Sequence, residues 1–425
     1  MSETKRNYLA DFDLLAVSAN LKETDLNVEQ TLDTTMLVSK SNLIHLEPRR
    51  EDNSNEQTGM EEPDTVYDMG NLSNSTLDFE KAQAQHIAFG YAYALGVDIP
   101  SAWGTGFEHL ITPTPDMGLP SFTGAGRVGK TIIKRRFASL FADTFKVTYA
   151  KDSWVKASMG VKGTGKFTDS VTKETISAAY NATTLALAAN AVEGADAATR
   201  LGNVHRIRVQ VPTTGEWQEV IFSAVSAATP AVITITAPGG VATATNYEIL
   251  YAPTEPAWCA FPSRVSEPPL RVTDLVFKIG GKWNGTTFLG GRTLAAEVDS
   301  IEHNINNQMK IEFRPGGTGN YANYALRGGR TQTLNLTRQM RDFILQQAIK
   351  DNEYFGVYVK ATGAEFETGK NYYVETVFPR VNVLKAPISV NDKVVAEAGD
   401  LKVLQDATYG SVRVKIGNKV SGYAQ

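Results

Sequence analysis

The chain has 425 residues, of which 42% are hydrophobic and 21% charged, with a formal net charge of −4. This length predicts two to four domains, and the composition can bury a large core. The weakly acidic balance argues against a protein that grips duplex nucleic acid, and no apolar run reaches the roughly 18 residues of a membrane span. The first stretch, MSETKRNYLADFDLLAV, has acids before any apolar run, unlike a signal peptide.

Cysteine and histidine usage predicts no metal or redox centre. Cys259 is the single cysteine, so neither an intrachain disulfide nor a thiolate metal cage can form. The histidines are scattered, without the local spacing of a metal-ligand pair: His45, His86, His109, His205 and His303. We therefore expect no catalytic residue, metal or cofactor, and a chain that suits a reducing compartment such as the cytosol.

The stretch GAGRVGKT, Gly124–Thr131, fits the phosphate-binding P-loop pattern. A working P-loop joins a buried parallel strand to a helix, but Pro113, Pro115 and Pro120 precede this one and are incompatible with a central strand. The next segment, TIIKRRFASLFA, fits either a helix or a twisted strand, and no aliphatic run ends in the second acid that Mg²⁺ needs. We interpret the stretch as a Gly-rich turn, with a P-loop NTPase as the alternative.

Most of the chain has the two-residue alternation or the β-branched and aromatic enrichment of strands. The fold class is therefore predicted to be mainly β. The clearest segments are 204–211, 219–225, 231–237, 247–252, 275–280, 354–361, 371–378 and 411–417.

Two segments predict helices. Residues 78–96 are rich in alanine and stop at Gly96. Residues 336–352 carry an apolar stripe at helical spacing, with Thr337 as the expected N-cap. Both stripes are most simply core contacts.

The two helices have similar settings in the sequence. LIHLEPR (43–49) matches KIEFRPG (310–316), and TLDF (76–79) matches TLNL (333–336). Each part reads as strand, long loop, returning strand and helix, with a period of roughly 260 residues, which suggests one module used twice. Two unrelated strand–helix segments are the alternative.

A different segment separates the two parts. It has little charge, and Ala, Thr and Val dominate it, which predicts a small inserted β-domain; a proline-rich connector follows. The predicted organisation is a first module over 1–179, the inserted domain over 180–254, and a linker with the second module over 255–425.

The loops inside the two hairpins differ in chemistry. Residues 47–71 are acidic and poor in apolar side chains, whereas 314–330 are Gly-rich, aromatic and basic. Long hairpins with charged tips commonly reach a neighbouring subunit, although the first loop could equally be a flexible surface segment. The candidate assembly residues are Arg49, Arg50, Glu51, Asp52, Glu61, Glu62, Arg314, Tyr321, Tyr324 and Arg327.

Several stretches resemble phage tail tube proteins, also called major tail proteins. In the first half these are GNLSNSTLDFEKAQAQHIAFGYAYALG, HLITPTPDMGLPSFT and FKVTYAKDSWVKASMGVKGTGKF. In the second half they are TLNLTRQMRDFILQQ, YFGVYVKATG, NYYVETVFPRVNVLKAPISVNDK and VAEAGDLKVLQDATYGSVRVKIGN. The resemblance covers about four fifths of the chain and excludes 180–254; it rests on diffuse patterns rather than on a catalytic signature.

The resemblance implies two fused antiparallel β-sandwich modules, each with a flanking helix, and the insert on the outer surface. It implies subunits joined edge to edge around a lumen, which removes exposed strand edges. Because two modules are fused, trimeric rings with pseudo-sixfold symmetry are expected, stacked into a tube. The implied partners are further copies of the chain, a tape measure protein and terminator or tip proteins. The implied location is the virion tail, after assembly in the host cytoplasm.

A tube that passes the phage genome should let DNA transit without specific binding, because each lysine or arginine facing the lumen adds attraction to phosphates. The strands 36–48, 70–79, 298–313 and 327–336 are predicted to line the lumen, and alternation leaves two choices of face. Apart from the P-loop NTPase, the remaining alternative is a virion β-sandwich that binds a ligand such as a carbohydrate through tryptophans: Trp103, Trp154, Trp217 or Trp283.

Overall fold

The computed structural model describes residues 13–40, 43–129, 133–294, 296–317, 319–391 and 393–425. The fold is mainly β, with 54% strand and 8% helix in three helices over these described ranges, and its sheets are antiparallel. This confirms the predicted fold class. No helix in these ranges has the length and apolarity to cross a membrane.

The elements follow in chain order. The first part contains β1 (Leu14–Val17), β2 (Thr34–Met36), β3 (His45–Asp52), β4 (Val66–Phe79), α1 (Ala84–Leu95), β5 (Gly96–Trp103), β6 (Gly106–Pro113), β7 (Phe122–Val128), β8 (Ile133–Ala150) and β9 (Lys156–Gly163). The middle contains β10 (Phe167–Asp169), β11 (Thr172–Ala179), β12 (Thr184–Ala186), α2 (Ala197–Gly202), β13 (Val204–Gln210), β14 (Trp217–Glu219), β15 (Phe222–Val225), β16 (Val232–Ile235) and β17 (Ala244–Tyr251). The last part contains β18 (Leu275–Trp283), β19 (Phe288–Thr293), β20 (Val298–Asn306), β21 (Met309–Glu312), β22 (Tyr324–Arg327), β23 (Thr331–Gln339), α3 (Ile344–Asp351), β24 (Tyr354–Glu367), β25 (Lys370–Lys385), β26 (Ile388–Asn391), β27 (Val394–Val403) and β28 (Arg413–Asn418).

Chain contacts divide the molecule into two compact units. The larger unit comprises Leu15–Ala125, Phe137–Lys166 and Pro262–Gln425. The smaller unit comprises Gly126–Arg136 and Phe167–Phe261, together with the N-terminal residues up to Leu14. The segment 180–254 lies within this smaller unit.

Two runs of strands build the larger unit. The first run has the order β3-β4-β9-β8-β20-β23-β27-β26, with every neighbouring pair antiparallel. The second run has the order β19-β18-β24-β25-β28-β6-β5. The long strand β25 joins the two runs, because its C-terminal end also pairs with β27.

Helix α1 lies between these two runs of strands. It contacts β9 of the first run and β5, β6, β25 and β28 of the second. All its residues are buried, as expected of a helix that is apolar on every side. A Cβ on Gly90 would stand 2.0 Å from the Phe145 ring, so this position needs glycine.

Both helices of the larger unit start later than the sequence predicted. Residues 78–79 end strand β4, and residues 336–339 end strand β23. Thr337 is therefore not a helix cap but lies opposite Ser300 in a strand pair. In β23 burial alternates with a period of two rather than 3.6 residues. This alternation is typical of a strand, and the apolar stripe at helical spacing begins only after it.

Two predicted loops also contain strands. The segment 47–71 was expected to be a loop, but strands β3 and β4 continue into it and only residues 53–65 connect them. The glycines at 124 and 126 were expected in a turn, but they lie in β7. In β7, Gly124 faces Ile44 and Leu140, and a Cβ there would stand 2.7 Å from both side chains. Close packing of a strand therefore explains this glycine.

The smaller unit has two antiparallel sheets around its own core. One has the order β11-β17-β13-β14 and the other β12-β16-β15. Their inward side chains form a single cluster in which Ile207, Ile233, Tyr247 and Ile249 are fully buried. The alternating apolar residues predicted to form strands in 204–252 supply most of this core, and Leu185, Leu187 and Val192 add to it.

Candidate assembly and lumen surface

The first run of strands has one buried and one solvent-facing side. The buried side carries apolar residues such as Leu77, Val147, Ile301 and Leu334, all fully buried. Strand alternation places the residues in between on the opposite side. These solvent-facing residues are mostly Thr, Ser and Asn: Asn74, Thr76, Asp78, Thr144, Lys146, Thr148, Lys156, Ser158, Lys162, Ser300, Glu302, Asn304, Asn306, Thr331, Thr333, Asn335, Thr337, Asp400 and Lys402.

We call this side the polar face. Three of its four lysines have an acid within reach: Lys146 lies 3.5 Å from Glu302, and Lys162 lies 3.0 Å from Asp143. Lys156 forms the third pair, with Glu80 at 2.5 Å. Such exposed pairs add little to stability, but they balance the positive charge of the face locally.

Three of the four segments predicted to line the lumen supply residues of the polar face, and His45 of the fourth lies opposite Asn74 on it. Strand β4 supplies 70–79, β20 lies within 298–313, and β23 covers most of 327–336. The fourth segment, 36–48, includes the start of β3 and residues 41–42, which lie outside the described residues. Of the two faces that alternation left open, the apolar one is buried by the chain itself.

The tip of the β3–β4 hairpin is a folded loop. Buried Asn53 organises it: its side chain donates to Asp64 at 2.6 Å and accepts from the backbone N–H groups of Asp64 and Thr65. The candidate residues Arg49, Arg50, Glu51 and Asp52 are exposed on β3, and Glu61 and Glu62 are exposed on the connection. Sequence reasoning missed Asn53, which resembled any other polar loop residue.

The second hairpin places its candidate residues in different surroundings. Arg314 lies over the Tyr324 ring and pairs with Glu312 at 2.9 Å, on the exposed part of the hairpin. Arg327 is buried within its own chain and donates to the carbonyl of Asp116 at 2.9 Å.

The connection between β21 and β22 meets the strands of the first hairpin. Asn71 donates its backbone N–H to Asn320 at 2.7 Å and forms a bridge with Tyr321, and Arg49 lies 5.5 Å from the centre of the Phe313 ring. The structure thus brings Arg49 and Tyr321 into one contact region, which the sequence did not predict. Phe313, one residue before Arg314, is the contact that sequence reasoning missed.

The described residues around Gly124 lack the strand-to-helix arrangement of a P-loop. Residues Phe122–Val128 form a strand, and the next regular element is the long strand β8 rather than a helix. Backbone amides at a helix N-terminus are what cradle phosphates in a P-loop. Lys130 and Thr131 lie outside the described residues.

The tryptophans differ in exposure. Trp283 is buried, whereas Trp217 in the smaller unit is 39% exposed and lies against Arg208 at 4.6 Å. Trp103 and Trp154 are half-buried; the first packs edge-on against Phe366 and Tyr373.

Among the described residues, no cluster of His, Cys, Asp and Glu could hold a metal ion. Cys259 is buried, and burial raises the pKa of its thiol to about 11. Comparison with protein-family models and with curated proteins gives no match for this chain.

Proposed function

We propose that this chain is a phage tail tube subunit whose polar face lines the lumen of a tube. The observation that carries the proposal is the eight-stranded antiparallel sheet, with one apolar face covered by its own chain and one face of Thr, Ser and Asn with paired lysines. A wall of this kind offers DNA no run of unbalanced positive charge, so the genome can slide past it.

The strand order supports assembly into rings. In the first run, β3-β4-β9-β8 and β20-β23-β27-β26 follow the same order, and β8 pairs with β20 where the two halves meet. We interpret the halves as two fused tail-tube-like modules. Three chains would then supply six modules, which makes a trimeric ring with pseudo-sixfold symmetry.

The hairpin tips would contact the next ring. The tip between β3 and β4 is exposed, acidic and held in one shape by Asn53. Stacked rings would form the tube of a virion tail, assembled in the host cytoplasm. A tape measure protein would lie along the lumen and terminator or tip proteins at the ends. The smaller unit would decorate the outer surface.

Electron microscopy of the purified protein tests the proposal directly. We expect rings or hollow tubes, and averaged end views with three-fold symmetry and six similar lobes. A protein that stays monomeric at all concentrations and salt conditions would contradict the proposal.

The hairpin tip has its own test. Replacing residues 53–65 with Asn-Gly keeps the β3–β4 strands and provides the turn that a two-residue hairpin prefers. We expect rings that no longer stack, visible as single discs by microscopy. As a matched control, Asn-Gly replaces the solvent-exposed turn 212–215 of the smaller unit, where stacking should persist.

The polar face is tested by charge. Glu302→Lys with Asp400→Lys would leave Lys146 on this face and Lys385 beside it without their acids, so assembled tubes should retain DNA at low salt and release it as salt rises. The control is Asp351→Lys with Glu353→Lys at the exposed end of α3, which changes the net charge equally. Equal DNA retention by both variants would show that the face does not line the lumen.

A further inference from the structure

The four-stranded sheet of the smaller unit has one side that faces its core and one that faces solvent. Ile207, Val209 and Tyr247 point into the core, so the residues between them lie on the opposite side. Trp217 also lies on the solvent-facing side, because it is opposite Gln210 in the β13–β14 pair. Neither the core nor the proposed lumen uses this side.

Charged residues occupy the first part of the solvent-facing side, and each of them has an ion-pair partner. Lys173 and Arg208 both bind Glu248, the lysine at 3.3 Å. Arg206 binds Glu219. A charged ligand would have to compete with these pairs, whereas an uncharged ligand would leave them intact.

The rest of this side is an uncharged row that crosses all four strands. Ser177 lies opposite Asn246 in the β11–β17 pair, and Gln210 lies opposite Trp217 in the β13–β14 pair. The Asn246 side chain donates to that of Gln210 at 3.4 Å, which joins the two pairs. Neighbouring strands lie about 4.8 Å apart, so the row is roughly 14 Å long. We call these four residues the amide row.

Trp217 stands at the end of the amide row and is held in place by its neighbours. It is 39% exposed, whereas the other four tryptophans of the chain are buried or half-buried. Arg208 lies 4.6 Å from the centre of the Trp217 ring, and Glu248 holds this arginine in turn. The indole is therefore positioned before any ligand binds, which lowers the entropy that binding would cost.

We propose that the amide row binds a neutral polysaccharide, with Trp217 as its stacking platform. The face of an aromatic ring is electron-rich, and the C–H face of a sugar ring is apolar, so the two stack. The side chains of Asn246 and Gln210 each offer donors and an acceptor. They match sugar hydroxyls, which both donate and accept. The length of the row suits a short run of sugar units rather than a single one.

A protein partner fits this side of the sheet less well. A stable protein interface has a core of apolar and aromatic side chains from which charges are depleted. Here the large apolar residues are Trp217 and Leu250, which lie in different places. Leu250 is opposite Lys173, and Glu248 stands between Leu250 and the amide row along β17. The uncharged part is therefore a narrow strip, which is the shape of a single polysaccharide chain.

Calorimetric titration of the full chain tests the site. The neutral probes are maltohexaose, cellohexaose, mannohexaose and galactohexaose, and hexagalacturonate is the acidic comparison. We expect at least one neutral probe to bind more tightly than hexagalacturonate does. Trp217→Ala should raise the Kd of that probe by about tenfold or more, because the stacking contact is lost. Trp217→Tyr should retain binding, because it retains an aromatic face.

Ile221→Ala is the matched control. Ile221 is 66% exposed in the same unit, but it lies in the connection between β14 and β15 rather than in the amide row. Its loss should change the Kd by less than about twofold. Thermal unfolding of all three variants should follow that of the parent, since both side chains are exposed.

Three results would overturn the proposed site. They are no binding of any neutral probe, tighter binding of hexagalacturonate than of every neutral probe, and equal Kd values for Trp217→Ala and the parent. The site depends on the smaller unit alone, so none of these results bears on the proposed tube, which microscopy tests separately.

Discussion

Helices α1 and α3 follow the returning hairpin strand in the two halves of the larger unit, but α1 is buried and α3 lies at the surface. Every residue of α1 is buried, whereas in α3 only Leu345 and Ala348 are. Phe343, which precedes α3, is 72% exposed. The same place in the strand order therefore accepts either a core helix or a surface helix.

The ends of the helices differ in the origin of their charges. At α1, distant residues supply both ends: Glu267 accepts from the N–H of Gln85 at 3.1 Å, and Arg330 donates to the last carbonyls, including that of Leu95 at 3.0 Å. At α3, Asp342 lies two residues before the start of the helix and accepts from the N–H of Ile344 at 3.0 Å. Each N-terminus thus has a carboxyl group, whose ionised form the helix dipole favours.

The pKa values of these two carboxyl groups are shifted in opposite directions. Burial raises the pKa of Glu267 to about 7, against the lowering effect of its backbone hydrogen bonds to Lys419 and Gln85 and of the nearby His109. The hydrogen bond from Arg338 leads the effects that lower the pKa of Asp342. Both acids lie at a helix N-terminus, so this position does not explain the opposite shifts. Burial is the main cause at Glu267, and the hydrogen bond from Arg338 is the main cause at Asp342.

The largest expected effect comes from breaking the ion cluster of the second half. Fully buried Arg338 donates to Glu397 at 2.9 Å and to Asp342 at 2.8 Å. Arg338→Met would leave the buried carboxylate of Glu397 uncompensated, so we expect a loss of about 3–5 kcal/mol in the free energy of unfolding. Denaturant unfolding measures it.

Arg341→Met is the matched control, since Arg341 is exposed three residues away and contacts Gln339 at 3.4 Å. It should change the free energy of unfolding by less than about 0.5 kcal/mol. Equal losses in the two variants would show that the cluster does not brace α3 and β27.

The next effect concerns the acid at α1. The folded-state pKa of Glu267 lies above its ordinary value of 4.5, so the folded protein holds this proton more tightly than the unfolded chain. The carboxyl therefore costs no stability below pH 4.5 and progressively more as pH rises to about 7. Glu267→Gln should unfold like the parent at pH 4.5 and be stabilised by roughly 2–3 kcal/mol at pH 8.

The comparison is made as the difference between variant and parent at each pH, because other buried groups also titrate. Burial lowers the pKa of His303 to about 4, so its neutral form contributes stability that is lost as pH falls below 6.5 in both proteins. A difference between Glu267→Gln and the parent that stays constant from pH 4.5 to 8 would refute the raised pKa of Glu267.

The sequence located the helix ends better than the helix starts, for a physical reason. Gly96 adopts φ 103° and Asn352 adopts φ 49°, both in the left-handed region, and such residues are local stop signals. The start of α1 combines a local capping box, formed by Gln83 and His86, with a hydrogen bond to Glu267, 182 residues from Gln85. No local pattern could indicate that contact.

The candidate surface was also only partly predictable. Alternation in TLNL and in DTFKVTYAK predicts strands. It does not predict that β8 pairs with β20, because the two strands lie more than a hundred residues apart in the chain. The charged hairpin residues were visible in the sequence as a group. The sequence did not show that Arg49 is exposed whereas Arg327 is buried. Arg49 lies near the Phe313 ring and Arg327 binds the carbonyl of Asp116, and both contacts depend on the fold.

The smallest effect sharpens the comparison at α3. Asp342→Asn removes the charge at the helix N-terminus and weakens the pair with Arg338 while keeping an acceptor for Ile344, so we expect a loss of about 1–2 kcal/mol at pH 7. Because the folded-state pKa of Asp342 lies below its ordinary value of 3.8, its contribution is present above that pH and is lost as pH falls through the folded value. The thermal unfolding of variant and parent should therefore converge in acid. This is opposite to Glu267→Gln, whose effect grows with rising pH.

Asp351→Asn, at the other end of the same helix, should be neutral or slightly stabilising, since an acid there opposes the dipole. A loss equal to that of Asp342→Asn would mean that position along the helix does not matter.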